Sequence, residues 1–297
     1  MTVEKSKSQN HLIIGLPGTG KTTFLAALWH VVSSNEVEGA LRLVRLEGNR
    51  KHLNAIRKAW LEFREVGRTN RSSEEIVAMR LRFPNGPEAA QIIFPDMSGE
   101  SFRRQWVKRK WSKDYSELVQ EATGIVLFAH PRKVVPPQRL DPSIEEAVEI
   151  LANDDVVDDV SDNQQDTRIS EWDPKNAPTQ VQLVELLQFI DKQRRDSNAI
   201  PVAVIISAWD LAVHDYESPD QWLLQRLPLL DQYLTTNAHR YPSRVYGVSA
   251  QGAPLDGDLT ILQAHENQSE RILIQGAGCI SHDITCPVRW IVERYKD

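Results

Sequence analysis

Residues Gly15 to Thr22 read Gly-Leu-Pro-Gly-Thr-Gly-Lys-Thr, filling every fixed position of the pattern G-x-x-x-x-G-K-[ST]. An apolar run, His11 to Ile14, precedes the octapeptide, and Thr23 to Trp29 follows with apolar residues at helical spacing. A strand that turns into a helix through glycines is where backbone N–H groups converge on a phosphate. Gly15, Gly18 and Gly20 allow a close backbone wrap, with Pro17, Thr19 and Thr23 completing the loop and the first helical turn. Lys21 is expected to face the β- and γ-phosphates, and Thr22 to offer its hydroxyl to Mg2+. The alternative, a glycine-rich turn with no ligand, does not account for the strand and helix on either side.

Length and composition set mild bounds. A chain of 297 residues with 41% hydrophobic and 26% charged residues suits one large globular domain with insertions. Met1 to Gln9 is polar and lacks the apolar centre of a signal peptide, no apolar run reaches bilayer length, and two cysteines make no disulfide framework. A reducing cytoplasm is the expected compartment, with no membrane partner. Asp141 to Asp173 holds twelve acidic residues and only Arg168 as a base; its net −11 leaves +5 on the rest of a chain totalling −6. Arg103, Arg104, Lys108, Arg109, Lys110 and Lys113 cluster around Trp106 and Trp111. A solvated helix face with its tryptophans turned inward explains that cluster better than a nucleic-acid surface, and nucleic acid is not expected as a partner.

The rhythm of apolar runs and turn signals predicts alternating strands and helices. Strand 11–15 and a helix to Ser34 come first, followed by a helix over Asn49 to Val66. Ile76 to Phe83 and Ala90 to Phe94, joined by Pro84-Asn85-Gly86-Pro87, predict an antiparallel hairpin. A helix over Phe102 to Ala122 leads to the strand Gly124–Ala129. Residues 131–178 break the pattern and read as an acidic insertion, helical near 144–151 and mobile over 153–176. The core resumes with helix Gln180–Arg194, strand Val202–Ile206, helix Asp220–Thr236, strand Arg244–Val248 and a last helix Pro287–Tyr295. Residues 256–284 read as irregular, with one strand at Arg271–Ile274. The expected architecture is a three-layer α/β fold, one domain over 1–297, whose mostly parallel sheet carries one antiparallel strand.

Three later features narrow the chemistry. Ile92 to Phe94 leads into Pro95-Asp96-Met97-Ser98-Gly99-Glu100; an Asp at a strand end approaches Mg2+, and a Gly three residues on can present its N–H to the γ-phosphate. Ser207-Ala208-Trp209-Asp210 follows the strand Val202–Ile206, where a carboxylate can accept from guanine N1–H and the N2 amino group, donors that adenine lacks. Ser249-Ala250-Gln251 follows the next strand and resembles the S-A-K element of GTPases, which implies that the Ala250 N–H meets guanine O6. In this order and on these boundaries, the elements resemble the Ras-like and translation-factor-like GTPases over nearly the whole chain. Ser207 departs from the family's Asn or Thr, and Ala208 from its Lys. More narrowly, Ile13 to Trp29, Asp96 to Glu100 and Asp283 to Trp290 resemble the bacterial double-GTPase families of conflict and defence systems.

The resemblance implies GTP or GDP with Mg2+ as ligands, and a switch that acts with a protein effector or activator. Thr69, the only threonine in Gly67 to Ser73, is expected to supply the switch I ligand to Mg2+, with Arg68 or Arg71 as a possible finger in cis. Glu100 stands where many such enzymes carry a water-positioning Gln, so intrinsic hydrolysis is expected to be slow. A P-loop ATPase or nucleotide kinase stays open as a second reading, and a nucleotide-binding scaffold without turnover as a third. Cys279, His282 and Cys286 offer three metal ligands without an evident fourth, His265 being the nearest candidate; isolated cysteines more often simply pack in cores.

Overall fold

The structure, a computed structural model, describes residues 9–66, 75–86, 88–96, 106–137, 176–194, 198–255, 260–263, 265–277 and 279–294. β1 (Asn10–Gly15) passes through the phosphate loop into α1 (Lys21–Ser34), β2 (Arg42–Glu47) and α2 (Arg50–Leu61). The hairpin β3 (Glu75–Arg82) and β4 (Glu88–Asp96) precedes α3 (Lys113–Gln120), β5 (Gly124–Ala129) and α4 (Thr179–Gln193). Next come β6 (Val202–Ser207), α5 (Pro219–Arg226), α6 (Pro228–Thr236) and β7 (Ser243–Ser249). A one-turn helix at Thr260–Gln263, β8 (Leu273–Gly276), β9 (Cys279–Ser281) and α7 (Cys286–Arg294) close the described chain.

The strands form one nine-stranded sheet in the order β2-β3-β4-β1-β5-β6-β7-β8-β9. From β4 through β1, β5, β6 and β7 all pairings are parallel. β3 runs against its neighbours β2 and β4, as the hairpin predicts. β8 is a second reversed strand, antiparallel to β7 and β9, where the sequence led us to expect only one.

Side-chain alternation splits the core into two layers, one on each face of the sheet. Ile13, Val126, Phe128, Ala203 and Ile205 pack with Phe24 and Leu28 of α1, Trp60 of α2 and Ile291 of α7. Leu12, Ile14, Ile125, Leu127, Val202 and Val204 face α3, α4, α5 and α6 through Val119, Leu187, Leu223 and Leu230. β5 and β6 are buried along their whole length, the near-continuous apolar run of a parallel strand covered on both faces. No helix among the described residues is long and apolar enough to cross a membrane.

Three predicted helices change, and two strands appear where none was expected. α2 stops at Leu61 because Phe63 takes a left-handed conformation, φ 54°, with Arg64 N–H donating back to Ala59 O at 2.9 Å. The helix expected over 220–236 is two helices, since Pro228 disfavours the helical conformation at Leu227, which sits at φ −135° and ψ 54°. The helix expected over 102–122 is interrupted at Arg109, φ 51°, and restarts where Ser112 Oγ accepts the Tyr115 N–H. β2 and β9 lie in segments read as loop or irregular. The insertion calls at 144–151 and 153–175 fall outside the described residues; residue 176 begins a short turn.

His11 is wholly buried near the start of β1, and neither ring nitrogen meets a hydrogen-bond partner. Burial pushes its pKa down to about 3, so the ring is neutral in the fold. Gly124 on β5 makes room for it: a Cβ there would lie 2.6 Å from His11 Nδ1.

Candidate functional site

The site lies along the edge of the sheet where β1, β4, β5, β6 and β7 end. β1 delivers the phosphate loop. Gly15 (φ 152°) passes so close to β5 that a Cβ would stand 2.8 Å from Phe128 Cβ and 2.9 Å from its carbonyl oxygen. Gly18 and Gly20 take φ 72° and 79°, values that cost an L side chain energy and a glycine none. Gly20 is the N-cap of α1 and supplies no side-chain hydrogen bond, and the first turn carries no acidic residue. The leading amides of α1 therefore meet neither a capping oxygen nor a repelling carboxylate, the condition that suits an anion.

Side chains shape the loop from inside. Thr19 Oγ1 donates to Leu16 O at 2.7 Å. Lys21 Nζ donates to Gly15 O at 2.9 Å and Leu16 O at 2.8 Å, which holds the ammonium within the loop's curve. Gly15, Pro17, Lys21, Pro95 and Tyr115 line a small cleft here; burial raises the Tyr115 pKa, leaving a neutral phenol on its wall.

Asp96 is the last residue of β4. The parallel register pairs Leu12 with Ile93, three residues before Gly15 and Asp96 respectively, so both strands end on the same side of the sheet. Thr22 occupies the first turn of α1. A hydroxyl and a carboxylate are oxygen donors of the kind Mg2+ takes when phosphates and water complete the shell. Among the described residues no cluster of three His, Cys, Asp or Glu forms an all-protein metal cage. His282 Nδ1 donates to Ile272 O at 2.6 Å. Cys286 Sγ accepts from Arg289 at 3.4 Å, its pKa raised by burial and by Asp283. Thr69, Gly99 and Glu100 lie outside the described residues.

Two loops beyond the phosphate loop converge on it. Ser207 closes β6, and its buried Oγ stands 2.8 Å from Thr19 O and 3.1 Å from Ala129 O. Ala208 turns the chain at φ 47°, and Asp210 follows within a short helical turn, its backbone N–H donating to Ser249 Oγ at 2.7 Å. Ser249 is fully buried, so its hydroxyl joins the ends of β6 and β7. The structure thus brings together Thr19, Ser207, Asp210, Ser249 and Ala250, residues up to 231 positions apart in the sequence.

Sequence reasoning missed the anchors of these loops. Trp209 is buried between the two motif residues; its Nε1–H donates to Gln275 Oε1 at 2.8 Å, and its ring fills the space a Cβ on Gly247 would need. Gly247, alone in an apolar strand, was the available signal for such a close approach. His130 follows β5 beside Ala129. Its Nδ1 accepts the Arg132 N–H at 3.1 Å; burial and the Lys133 charge lower its pKa, while the Asp210 carboxylate works against them. Trp106 and Trp111 turn into the second core layer as expected, and Arg109 pairs with Glu185 at 2.9 Å.

No curated protein matches the chain. Among solved structures, a Methanosarcina barkeri Roco2 RocCORdC chain bound to GDP is similar at 11% identity with a TM-score of 0.30. The match covers 83% of this chain and 45% of that one, so the chain spans less than half the length of the Roco chain. The likeness is too loose to carry residue roles across. The Double-GTPase 1 family model matches residues 12–291, taking in the phosphate loop, the Asp96 strand end and both converging loops. On that match the protein belongs to the Double-GTPase 1 family, within the P-loop GTPases.

Proposed function

We propose that the chain binds GTP with Mg2+ and hydrolyses it slowly, as a conformational switch read by a partner protein in a bacterial conflict or defence system. The observation that carries this reading is the coupling of three loops: Thr19 O to Ser207 Oγ, and Asp210 N–H to Ser249 Oγ. A base held by the second and third loops is thereby placed relative to phosphates held by the first.

In this reading the amides of residues 15–23, with Lys21, bind the phosphates. Thr22, Asp96 and Thr69 would hold Mg2+, which would supply positive charge against the phosphates. The Asp210 carboxylate accepts from guanine N1–H and N2, and the Ala250 N–H donates to O6. Gly99 presents its N–H to the γ-phosphate. Glu100 accepts a proton from the attacking water but cannot donate a hydrogen bond to the phosphate, which accounts for slow turnover. Ala208 leaves the base without the usual lysine cover, so affinity is modest while selectivity persists.

Isothermal titration with GTP, GDP and ATP in the presence of Mg2+ tests the reading, with single-turnover hydrolysis of GTP alongside. Binding of both guanine nucleotides with little ATP binding supports it. Equal GTP and ATP binding returns the chain to the P-loop ATPases and nucleotide kinases, and binding without turnover makes it a scaffold.

A further inference from the structure

The loop that follows β7 is held in place by residues outside every motif. Trp60, at the end of α2, is fully buried, and its Nε1–H donates to Ala250 O at 2.8 Å. Gln251 Nε2 donates to Trp60 O at 3.3 Å, so two successive loop residues grip one tryptophan, one through its ring and one through its backbone.

Trp60 is itself clamped. The Arg271 guanidinium lies 3.8 Å from the Trp60 ring centroid and 4.2 Å from that of Phe63, stacked between two aromatic faces. Arg271 also donates to Trp60 O at 2.6 Å. Only 3% of Arg271 is exposed, and desolvation pushes its pKa down to about 10, opposed by the nearby Glu36 carboxylate. Glu36 in turn accepts the Ser269 N–H at 3.0 Å and bonds His30, fixing the turn that carries Arg271. Phe63 reaches the stack from a left-handed backbone, φ 54°, a conformation that costs a bulky residue energy. A Cβ on Gly252 (φ 94°) would stand 2.5 Å from Arg271 O, so the chain at Gly252 lies directly on the Arg271 backbone.

We infer that Trp60, clamped by Arg271 and Phe63, is the positioning residue that aims the Ala250 N–H at the C6 oxygen of the bound purine. This rests on the guanine reading above and deepens it. The carbonyl of Ala250 is fixed by Trp60 Nε1, which sets the orientation of the loop around that residue. Asp210 is held by the Ser249 hydroxyl, and Ser249 is fixed as the last residue of β7 by its pairing with Leu273 of β8, so the two edges of the base are read through different supports. Loosening the Trp60 clasp blurs recognition at C6 and leaves recognition at N1 and N2 intact.

Two base analogues separate these edges. In 6-thio-GTP a sulfur, a weak acceptor, replaces O6; in ITP the N2 amino group is missing. One N–H···O hydrogen bond is worth roughly 2- to 10-fold in affinity, so the wild-type protein should prefer GTP to 6-thio-GTP by about that factor. In Trp60→Phe, which keeps the aromatic face and removes the Nε1 donor, that ratio should fall towards one while the GTP:ITP ratio stays at its wild-type value. Gln251→Ala, at a half-exposed position, removes the second tie, should move the 6-thio ratio in the same direction by less, and carries the test if Trp60→Phe does not fold. An unchanged 6-thio ratio in the variants, a wild-type ratio of one, or equal loss of both ratios overturns the inference. A wild-type protein with no GTP:ITP preference overturns the guanine reading itself.

Discussion

Ser207 Oγ donates a 2.8 Å hydrogen bond to the Thr19 carbonyl, joining the end of β6 to the phosphate loop across 188 positions of sequence. The hydroxyl is buried, and a Cβ on Gly20 would meet its oxygen at 3.0 Å, so serine fits a gap that a larger side chain would overfill. Ser207→Ala leaves the Thr19 carbonyl without this partner, at a cost of about 1–2 kcal/mol. Titration calorimetry should show nucleotide affinity reduced by up to about 5- to 30-fold; wild-type affinity would mean that the tie does not organise the loop.

Lys21 and Thr22 should separate by ligand. Lys21→Ala removes the ammonium held between Gly15 O and Leu16 O and should abolish tight triphosphate binding. Thr22→Ala should weaken the Mg2+ dependence of GTP binding more than it weakens GDP binding. Titrations with and without Mg2+ check both, and wild-type GTP binding by Lys21→Ala would remove the proposed site.

Gly247→Ala places a methyl group against the Trp209 indole. The ring cannot retreat without breaking its bond to Gln275, so the loop carrying Asp210 must shift. Overpacking of this kind costs about 1–3 kcal/mol. Urea unfolding should show the loss, and guanine affinity should fall with it; undiminished stability and affinity would show that the indole does not anchor the loop.

His11 makes stability depend on pH. Its folded pKa is depressed to about 3, so the unfolded chain takes up a proton below about 6.5 that the fold refuses. The contribution is fully present above that pH and is lost as pH falls towards 3, at about 1.4 kcal/mol per pH unit. His11→Leu removes the penalty. Urea midpoints of wild type and variant should diverge steadily between pH 7 and 5, and a constant difference would mean the buried ring is protonated or solvated.

How far these features could be read in advance depended on whether the cause was local. β1, the phosphate loop, α1 and β5 were legible because glycine spacing and short apolar runs decide them within a few residues. The break at Leu227 was written in Pro228, and the restart of α3 in the Ser112 cap, yet helical periodicity on either side masked both. β2, with Arg42, Arg45 and Glu47 among its six residues, is half-exposed and carries little apolar signal; pairing with β3 makes it a strand. The motif residues Ser207, Asp210 and Ser249 were legible as a pattern. Their supports Trp209, Trp60 and Arg271 were not, because each acts through a contact made only after the chain has folded.

The central claim is that Asp210 reads the guanine edge, and nucleotide titration of wild type and Asp210→Asn in Mg2+ tests it most directly. The wild-type protein should favour GTP over ATP by roughly 10³-fold, the scale on which a site rejects an analogue that leaves its carboxylate acceptor unpaired. Asp210→Asn supplies a donor where guanine also donates, so GTP should weaken and xanthosine triphosphate, with an acceptor at C2, should bind better. Equal wild-type affinity for GTP and ATP, or an Asp210→Asn variant with unchanged preference among the three nucleotides, would contradict the account.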